Sequence, residues 1–108
     1  MNRGDIVTVA LQGEFGKPRP ALVLQSDAFN ASHATITVVP ISSTIVPAPL
    51  FRITLEPSAA NGLRRVSQVM ADKIISVRRD RLGGKIGVVE SETMTRVARS
   101  VALWLELG

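Results

Sequence analysis

The chain has no cysteine and a single histidine among its 108 residues. Without cysteine it cannot form a disulfide framework, a thiolate nucleophile or a cysteine-based zinc site. No cluster of metal-ligating residues and no phosphate-cradling glycine loop is recognisable, so we expect neither a metal nor a cofactor. No apolar run approaches the ~18 residues of a membrane span, and the start of the chain lacks an apolar signal core. We therefore expect a cytoplasmic protein without a membrane segment.

Composition and length predict one folded domain covering residues 1–108. Hydrophobic residues make up 45% of the sequence and charged residues 20%, which is typical of globular proteins. A chain of 108 residues is long enough to bury a core and too short for two ordinary domains.

The positive charge is concentrated in one segment. The net charge is +4, but residues 64–85 alone contain seven basic and two acidic residues. A clustered positive field attracts polyanions and steers nucleic acid toward it. The alternative is that Arg78 to Arg81 form an ordinary charged turn.

Short β-branched segments, several with alternating polarity, predict a mainly antiparallel sheet. A glycine pair, Gly83-Gly84, is expected to break the chain before the last strand, and Pro40 is expected at an edge or a bulge. Residues 27–34 are predicted to be a polar loop. The predicted strands are Ile6–Leu11, Ala21–Gln25, Thr35–Ile41, Phe51–Leu55, Arg65–Met70 with a continuation over 72–77 beyond a bend at Ala71, and Lys85–Val89, which is either a short strand or a turn.

Helical spacing of apolar residues predicts one amphipathic helix at the end of the chain. Ser91 is the expected N-cap, and Glu92 lies near the positive end of the helix dipole. Residues such as Leu103 and Leu107 fall outside the core-facing stripe. We therefore expect the helix to meet a partner chain as well, with Trp104 in a core or an interface. The stripe consists of Met94, Val97, Ala98, Val101, Trp104 and Leu105.

A stiff basic turn precedes the second predicted strand. Pro18 and Pro20 restrict the backbone on both sides of Arg19, so its guanidinium is held rather than free on a loop. The four apolar residues Ala21–Leu24 then predict a strand that is buried on both faces. An arginine with a restricted backbone at the start of such a strand is suited to binding a phosphate. The alternative is that Lys17 and Arg19 are solvated loop charges.

Hydroxyl groups end the third predicted strand. Ser42, Ser43 and Thr44 can donate to a phosphate oxygen, or they can simply close a turn. His33 has no titratable partner nearby, so we interpret it as a solvated loop residue. Phe15, between two glycines, is either a lid over a groove or part of the core.

Taken in order, these motifs resemble the MazF/PemK family of toxins over nearly the whole chain. The resemblance implies an SH3-like small antiparallel barrel with a C-terminal α-helix, similar to MazF and CcdB. The motifs that carry it are Arg3–Val7, Lys17–Leu24 with Asp27 and Asn30, Val39–Ser43, Ser67–Ile74 and Arg81–Gly83.

The resemblance implies a homodimeric, metal-independent endoribonuclease that cuts single-stranded RNA and is neutralised by an acidic antitoxin. Arg19 matches the family's catalytic arginine, and Ser42 stands where the family usually has threonine. Ser67 replaces an aspartate of some members. The 2′-hydroxyl of RNA would attack the adjacent phosphate, leaving a 2′,3′-cyclic phosphate and a 5′-hydroxyl. The expected RNA-binding residues are Lys17, Ser43, Arg65, Ser67, Gln68, Lys73, Arg78 and Arg79.

Two other functions remain open for a chain of this kind. A CcdB-like DNA gyrase poison would share the fold, but such poisons rely on a tryptophan-glycine-isoleucine end, whereas this chain ends in residues 104–108, WLELG. The other is a catalytically degenerate module that binds RNA or antitoxin without cutting.

Overall fold

The computed structural model describes residues 1–10 and 17–108. Leu11, the predicted end of the first strand, and residues 12–16, the predicted loop with Phe15, lie outside the described residues. The elements, in chain order, are β1 (Asp5–Val9), β2 (Arg19–Val23), α1 (Asp27–Asn30), β3 (Thr35–Ser42), β4 (Arg52–Leu55), β5 (Ser67–Met70), a 3₁₀ turn (Ala71–Lys73), β6 (Ile75–Arg78), a second 3₁₀ turn (Arg79–Arg81), β7 (Leu82–Val88) and α2 (Ser91–Leu105).

The strands form a seven-stranded sheet in the order β4-β5-β3-β2-β1-β7, with β6 paired to β3. All of the described pairings are antiparallel. The predicted class, mainly β with a C-terminal helix, is therefore confirmed. Within residues 1–10 and 17–108, neither helix is long and apolar enough to cross a membrane.

The central strand is β3, which pairs with β2 along one edge. Along its other edge it pairs with β6 up to Val38 and with β5 from Ile41 onward. Pro40 lies in the interval where one partner gives way to the other, and there the missing N–H removes no bond to β5 or β6. The expectation of an edge or a bulge was wrong, because a gap between two partner strands accommodates proline equally well.

Two buried clusters lie on opposite faces of the sheet. The larger one packs the sheet against α2 through Met94, Val97 and Val101. Leu22 belongs to this cluster, while its neighbours Ala21 and Val23 belong to the other one. Alternate residues of β2 thus enter different clusters, and the prediction that this strand is buried on both faces is confirmed. The smaller cluster consists of Val7, Val9, Ala21, Val23, Ile36, Val38 and Val77.

Among the described residues, the two edge strands β4 and β7 do not pair with each other. The turn that follows β4 contacts β7 instead. The Val88 N–H donates to the Ala60 carbonyl oxygen over 2.9 Å. Gly87 permits this close approach, because a Cβ at that position would overlap the backbone of Asn61. The described strands therefore form an open sheet whose gap is bridged by the turn after β4.

Several local predictions were wrong. Gly83-Gly84 lies inside β7 instead of breaking the chain, and a Cβ on Gly83 would overlap the Thr8 hydroxyl, so glycine lets β7 lie close to β1. The N-cap of α2 is Glu90, without a side-chain cap bond, and Ser91 is the first helical residue. Part of the predicted polar loop forms α1, where Ser26 Oγ accepts from the Ala28 N–H. The predicted continuation over 72–77 is instead a 3₁₀ turn followed by β6.

Candidate active site

A cavity of about 230 Å³ lies where β2 begins and β3 ends. It brings together Arg19 and Ser42, the two residues that the sequence predicted to be catalytic. Its lining holds no carboxylate and no histidine among the described residues. The lining residues are Arg19, Pro40, Ile41, Ser42, Ser43, Thr44 and Met70.

The strand register explains why these side chains meet. Ala21 pairs with Pro40, so the same register continued two residues outward aligns Arg19 with Ser42. Ser42 pairs with Gln68, which in turn pairs with Thr54 of β4. Directly opposite residues of antiparallel strands project from the same face. Arg19, Ser42, Gln68 and Thr54 therefore form a polar row across the sheet, on the face opposite α2.

Arg19 is exposed and is the first residue of β2. Its backbone is fixed by pairing with Val9 of β1, and the two prolines beside it restrict the chain further. A guanidinium on such a base can present several N–H donors to a phosphate in a defined orientation.

The hydroxyl groups beside Arg19 belong to a turn. Ser42 Oγ accepts a hydrogen bond of 3.1 Å from the Thr44 N–H. Because the oxygen acts as the acceptor in this bond, the Ser42 hydroxyl proton can still be donated to a ligand. The turn and the phosphate-donor interpretations are thus compatible. Ser43 is exposed at the mouth of the same cavity.

Two of the predicted RNA-binding residues are buried. The Ser67 hydroxyl donates to the Arg65 carbonyl oxygen over 2.9 Å. Gln68 is 4% exposed, and its side-chain amide is hydrogen-bonded to the backbone of Val46. In this structure both side chains organise the protein backbone. Their direct contact with RNA stays a prediction.

The other predicted RNA-binding residues are exposed, but apart from Ser43 they do not line the cavity. Lys17 directly precedes the Pro18-Arg19 unit, and Arg65 precedes β5. Lys73 lies 3.6 Å from an Asp72 carboxylate oxygen, and Arg78 is paired with Asp80.

Arg79 has a structural role in addition to any contact with RNA. Its Nη1 donates to the carbonyl oxygens of Asn30, over 2.6 Å, and His33, over 3.0 Å. It thereby ties the end of α1 and the following loop to the second 3₁₀ turn. His33 is exposed, as expected for a solvated residue.

Sequence reasoning missed an ion pair beside the cavity. Arg52 Nε lies 3.1 Å from Asp72 Oδ1, and both side chains are largely buried. Arg52 pairs in register with Met70, which lines the cavity. Partial burial works to raise the pKa of Asp72, but hydrogen bonds from Arg52 and from the backbone outweigh it, so the pKa lies below its ordinary value of 3.8. No local pattern joins residues 20 positions apart, so the sequence carried no signal for this pair.

A larger open groove of about 930 Å³ lies between the N-terminal residues and α2. It contains none of the predicted site residues. Its carboxylates already have partners, since Asp5 accepts from the Asn2 N–H and pairs with Lys85, and Asp27 accepts from the Arg3 N–H. Across residues 1–10 and 17–108, no three His, Asp or Glu side chains are grouped to hold a metal ion.

Comparison with known proteins identifies the family. Residues 2–105 match the PemK-like, MazF-like toxins of type II toxin-antitoxin systems. The chain belongs to the PemK/MazF toxin family. The resemblance of its motifs to this family is thereby confirmed.

Relatives of this PemK/MazF chain cover its full length. A probable endoribonuclease MazF of Mycolicibacterium smegmatis is 43% identical over 109 residues, covering 100% of this chain and 99% of the relative. The endoribonuclease EndoA of Bacillus subtilis is 29% identical over 111 residues, covering 99% and 96%. A mycobacterial endoribonuclease in complex with its cognate antitoxin superposes with a TM-score of 0.84 at 26% identity, covering 100% and 97% of the two chains.

Proposed function

We propose that this family member is an endoribonuclease toxin that cuts single-stranded RNA at short sequences without a metal. The observation that carries the proposal is the cavity shared by Arg19 and Ser42, in which cationic and hydroxyl donors converge and no described carboxylate intervenes. Relatives that cover the whole chain are named endoribonucleases.

The chemistry that we infer uses the nucleophile of the substrate itself. The 2′-hydroxyl oxygen attacks the adjacent phosphorus, and the bond from phosphorus to the 5′-oxygen breaks. The 2′-hydroxyl gives up its proton and the departing 5′-oxygen takes one up, so a 2′,3′-cyclic phosphate and a 5′-hydroxyl remain. Arg19 stabilises the negative charge that develops on the phosphate oxygens. Ser42 donates to one of these oxygens and orients the phosphate for attack.

RNA would approach the cavity along exposed basic residues. Lys17 and Ser43 lie beside Arg19 and the turn that follows β3, where they can contact the phosphates on either side of the scissile bond. Arg65 and Lys73 lie on either side of β5, which pairs with Ser42, whereas Arg78 pairs with Thr35 at the other end of β3. Contact of Arg78 and Arg79 with RNA would therefore need a track that runs the length of β3. Contacts with phosphates displace counterions, so RNA affinity is expected to fall as salt rises.

The same basic surface would bind an acidic antitoxin in competition with RNA. A related mycobacterial endoribonuclease has been solved with its cognate antitoxin, which supports an antitoxin as the partner. The competition with RNA is inferred from the charge of both ligands. We further propose a homodimer that acts in the cytoplasm. The end of α2 supports the dimer, because a second copy would cover apolar side chains that are about half exposed, namely Leu103, Trp104 and Leu105.

The test is incubation of the purified protein with a long single-stranded RNA in excess EDTA, followed by analysis of the product ends. We expect cleavage at recurring short sequences, with 2′,3′-cyclic phosphate and 5′-hydroxyl ends. A gyrase supercoiling assay in parallel is expected to show no effect. Intact RNA together with inhibited gyrase would overturn the proposal in favour of a gyrase poison. Binding of RNA without cleavage would favour a degenerate module.

A further inference from the structure

Near opposite ends of β3, two glutamine side chains each accept from one backbone N–H and donate to one backbone carbonyl oxygen. Gln68 Oε1 accepts from the Val46 N–H over 3.0 Å, and its Nε2 donates to the Val46 carbonyl oxygen over 3.0 Å. Gln25 Oε1 accepts from the Thr37 N–H over 3.1 Å, and its Nε2 donates to the Thr35 carbonyl oxygen over 3.2 Å. Each side-chain amide therefore pairs with backbone as a neighbouring peptide group would.

The two glutamines bind different parts of the chain. Gln25 lies just beyond the end of β2 and binds the first half of β3, which is already paired with β6. Gln68 binds the segment 43–50, which begins directly after Ser42 and supplies Ser43 and Thr44 to the Arg19 cavity.

The first part of segment 43–50 is bonded to β3 through the Thr44 N–H and Ser42 Oγ, and the middle of the segment is bonded to β5 through Gln68. The described backbone bonds of its second half are local, since Ala48 N–H donates to the Val46 oxygen, and Phe51 and Arg52 donate to the Ala48 oxygen. Side chains of the segment such as Ile45 and Leu50 are more than half exposed, so packing holds it only weakly. The buried amide of Gln68 is thus the described contact that ties the middle of the segment to β5.

We propose that Gln68 is a positioning residue, which holds segment 43–50 so that Ser43 and Thr44 face RNA bound beside Arg19. This inference rests on the proposed endoribonuclease function. Loss of the buried Gln68 amide would leave the Val46 N–H without its described acceptor, while the Val46 carbonyl oxygen would keep only its bond from the Ala48 N–H. The segment would then move away, and displacement of a substrate-positioning group by about 1 Å can cost roughly 100-fold in rate.

The experiment compares Gln68→Met with the matched control Gln25→Met. Each variant loses one bond from a backbone N–H and one to a backbone carbonyl oxygen and keeps a side chain of similar length, so both are expected to lower the melting temperature. Gln68→Met also loses a longer bond of 3.5 Å from Nε2 to Thr54 Oγ1. Only Gln68→Met is expected to lower kcat/KM for a single-stranded RNA substrate, by roughly 10- to 100-fold. It should also speed hydrogen exchange at the Val46 amide, which is protected in the wild type. If Gln68→Met does not fold, Gln68→Glu replaces it, since its carboxylate still accepts from the Val46 N–H.

The outcomes separate this inference from the function on which it rests. A wild-type protein that cuts no RNA overturns the proposed function and this inference with it. An active wild type whose kcat/KM falls equally in the two variants, or in neither, overturns the positioning role alone. Rapid exchange of the Val46 amide in the wild type would also contradict it.

Discussion

The two ends of one sheet face differ sharply. At one end of β2 and β3, the side chains of Val23, Ile36 and Val38 are buried in the smaller cluster. At the other end of the same strands, Arg19 and Ser42 line a cavity on the same face. Side chains alternate between the two sheet faces along both strands, but the side chains on this face change from apolar to polar. The buried residues that stabilise the fold therefore lie only a few positions from the candidate site. Substitutions at the two ends should have different consequences.

The largest effect on stability is expected at the apolar end. Ile36 is fully buried, and Ile36→Ala removes a large part of its side chain from a packed cluster. Such truncations typically cost about 2–5 kcal/mol in the free energy of unfolding. Urea denaturation would measure the loss. RNA cleavage by the fraction that remains folded should stay near the wild-type level, and a selective loss of activity in folded protein would contradict the separation of the two ends.

The complementary substitution, Arg19→Ala, should remove activity and leave the fold intact. Loss of a donor aimed at transition-state charge costs about 10² to 10³ in rate, or about 2.7–4 kcal/mol. Because Arg19 is exposed at the start of β2, Arg19→Ala should lower the free energy of unfolding by much less than Ile36→Ala does. Cleavage kinetics and urea denaturation on the same preparation test both expectations.

Two further substitutions sharpen the Arg19 result. Ser42→Ala should slow cleavage less than Arg19→Ala, because a neutral hydroxyl donor is weaker than a guanidinium. His33→Ala should leave cleavage nearly unchanged, since His33 is an exposed loop residue outside the cavity lining. If His33→Ala abolished cleavage and Arg19→Ala spared it, the proposed roles would be wrong, and a histidine base would have to replace them.

The smallest effect concerns the ion pair of Arg52 and Asp72, which adds stability at the polar end. The pKa of Asp72 is lower in the folded state than its ordinary value of 3.8, so the ionised carboxylate stabilises the fold. This contribution is present at pH values above the ordinary pKa of 3.8 and is lost as the pH falls through the lower folded-state pKa. The difference in melting temperature between the wild type and Asp72→Asn should therefore shrink below pH 3.8. A constant difference from pH 7 to pH 3 would rule out this role for the pair.

Features with local causes were predictable from the sequence. An unbroken apolar run indicated β2, alternation indicated β3, helical spacing indicated α2, and the two prolines marked Arg19 as a residue with a restricted backbone. The resemblance to the MazF/PemK family then joined Arg19 with Ser42, although no local pattern places them in one cavity. These predictions succeeded because neighbours along the chain and the pleat of a strand determine which face a side chain occupies.

Only the tertiary structure decided which distant residues meet. Gln68 carried no sign that its amide would bind Val46, 22 positions earlier, instead of facing a ligand. Gly83-Gly84 was expected to break the chain, yet the close approach of Thr8 makes glycine suitable within β7. Strand register and the packing of one strand on the next determine both outcomes. The sequence alone thus determined most of the strands, the helix and the restricted backbone around Arg19. The pairing of β3 with β2 and β5 formed the cavity and placed segment 43–50 beside it.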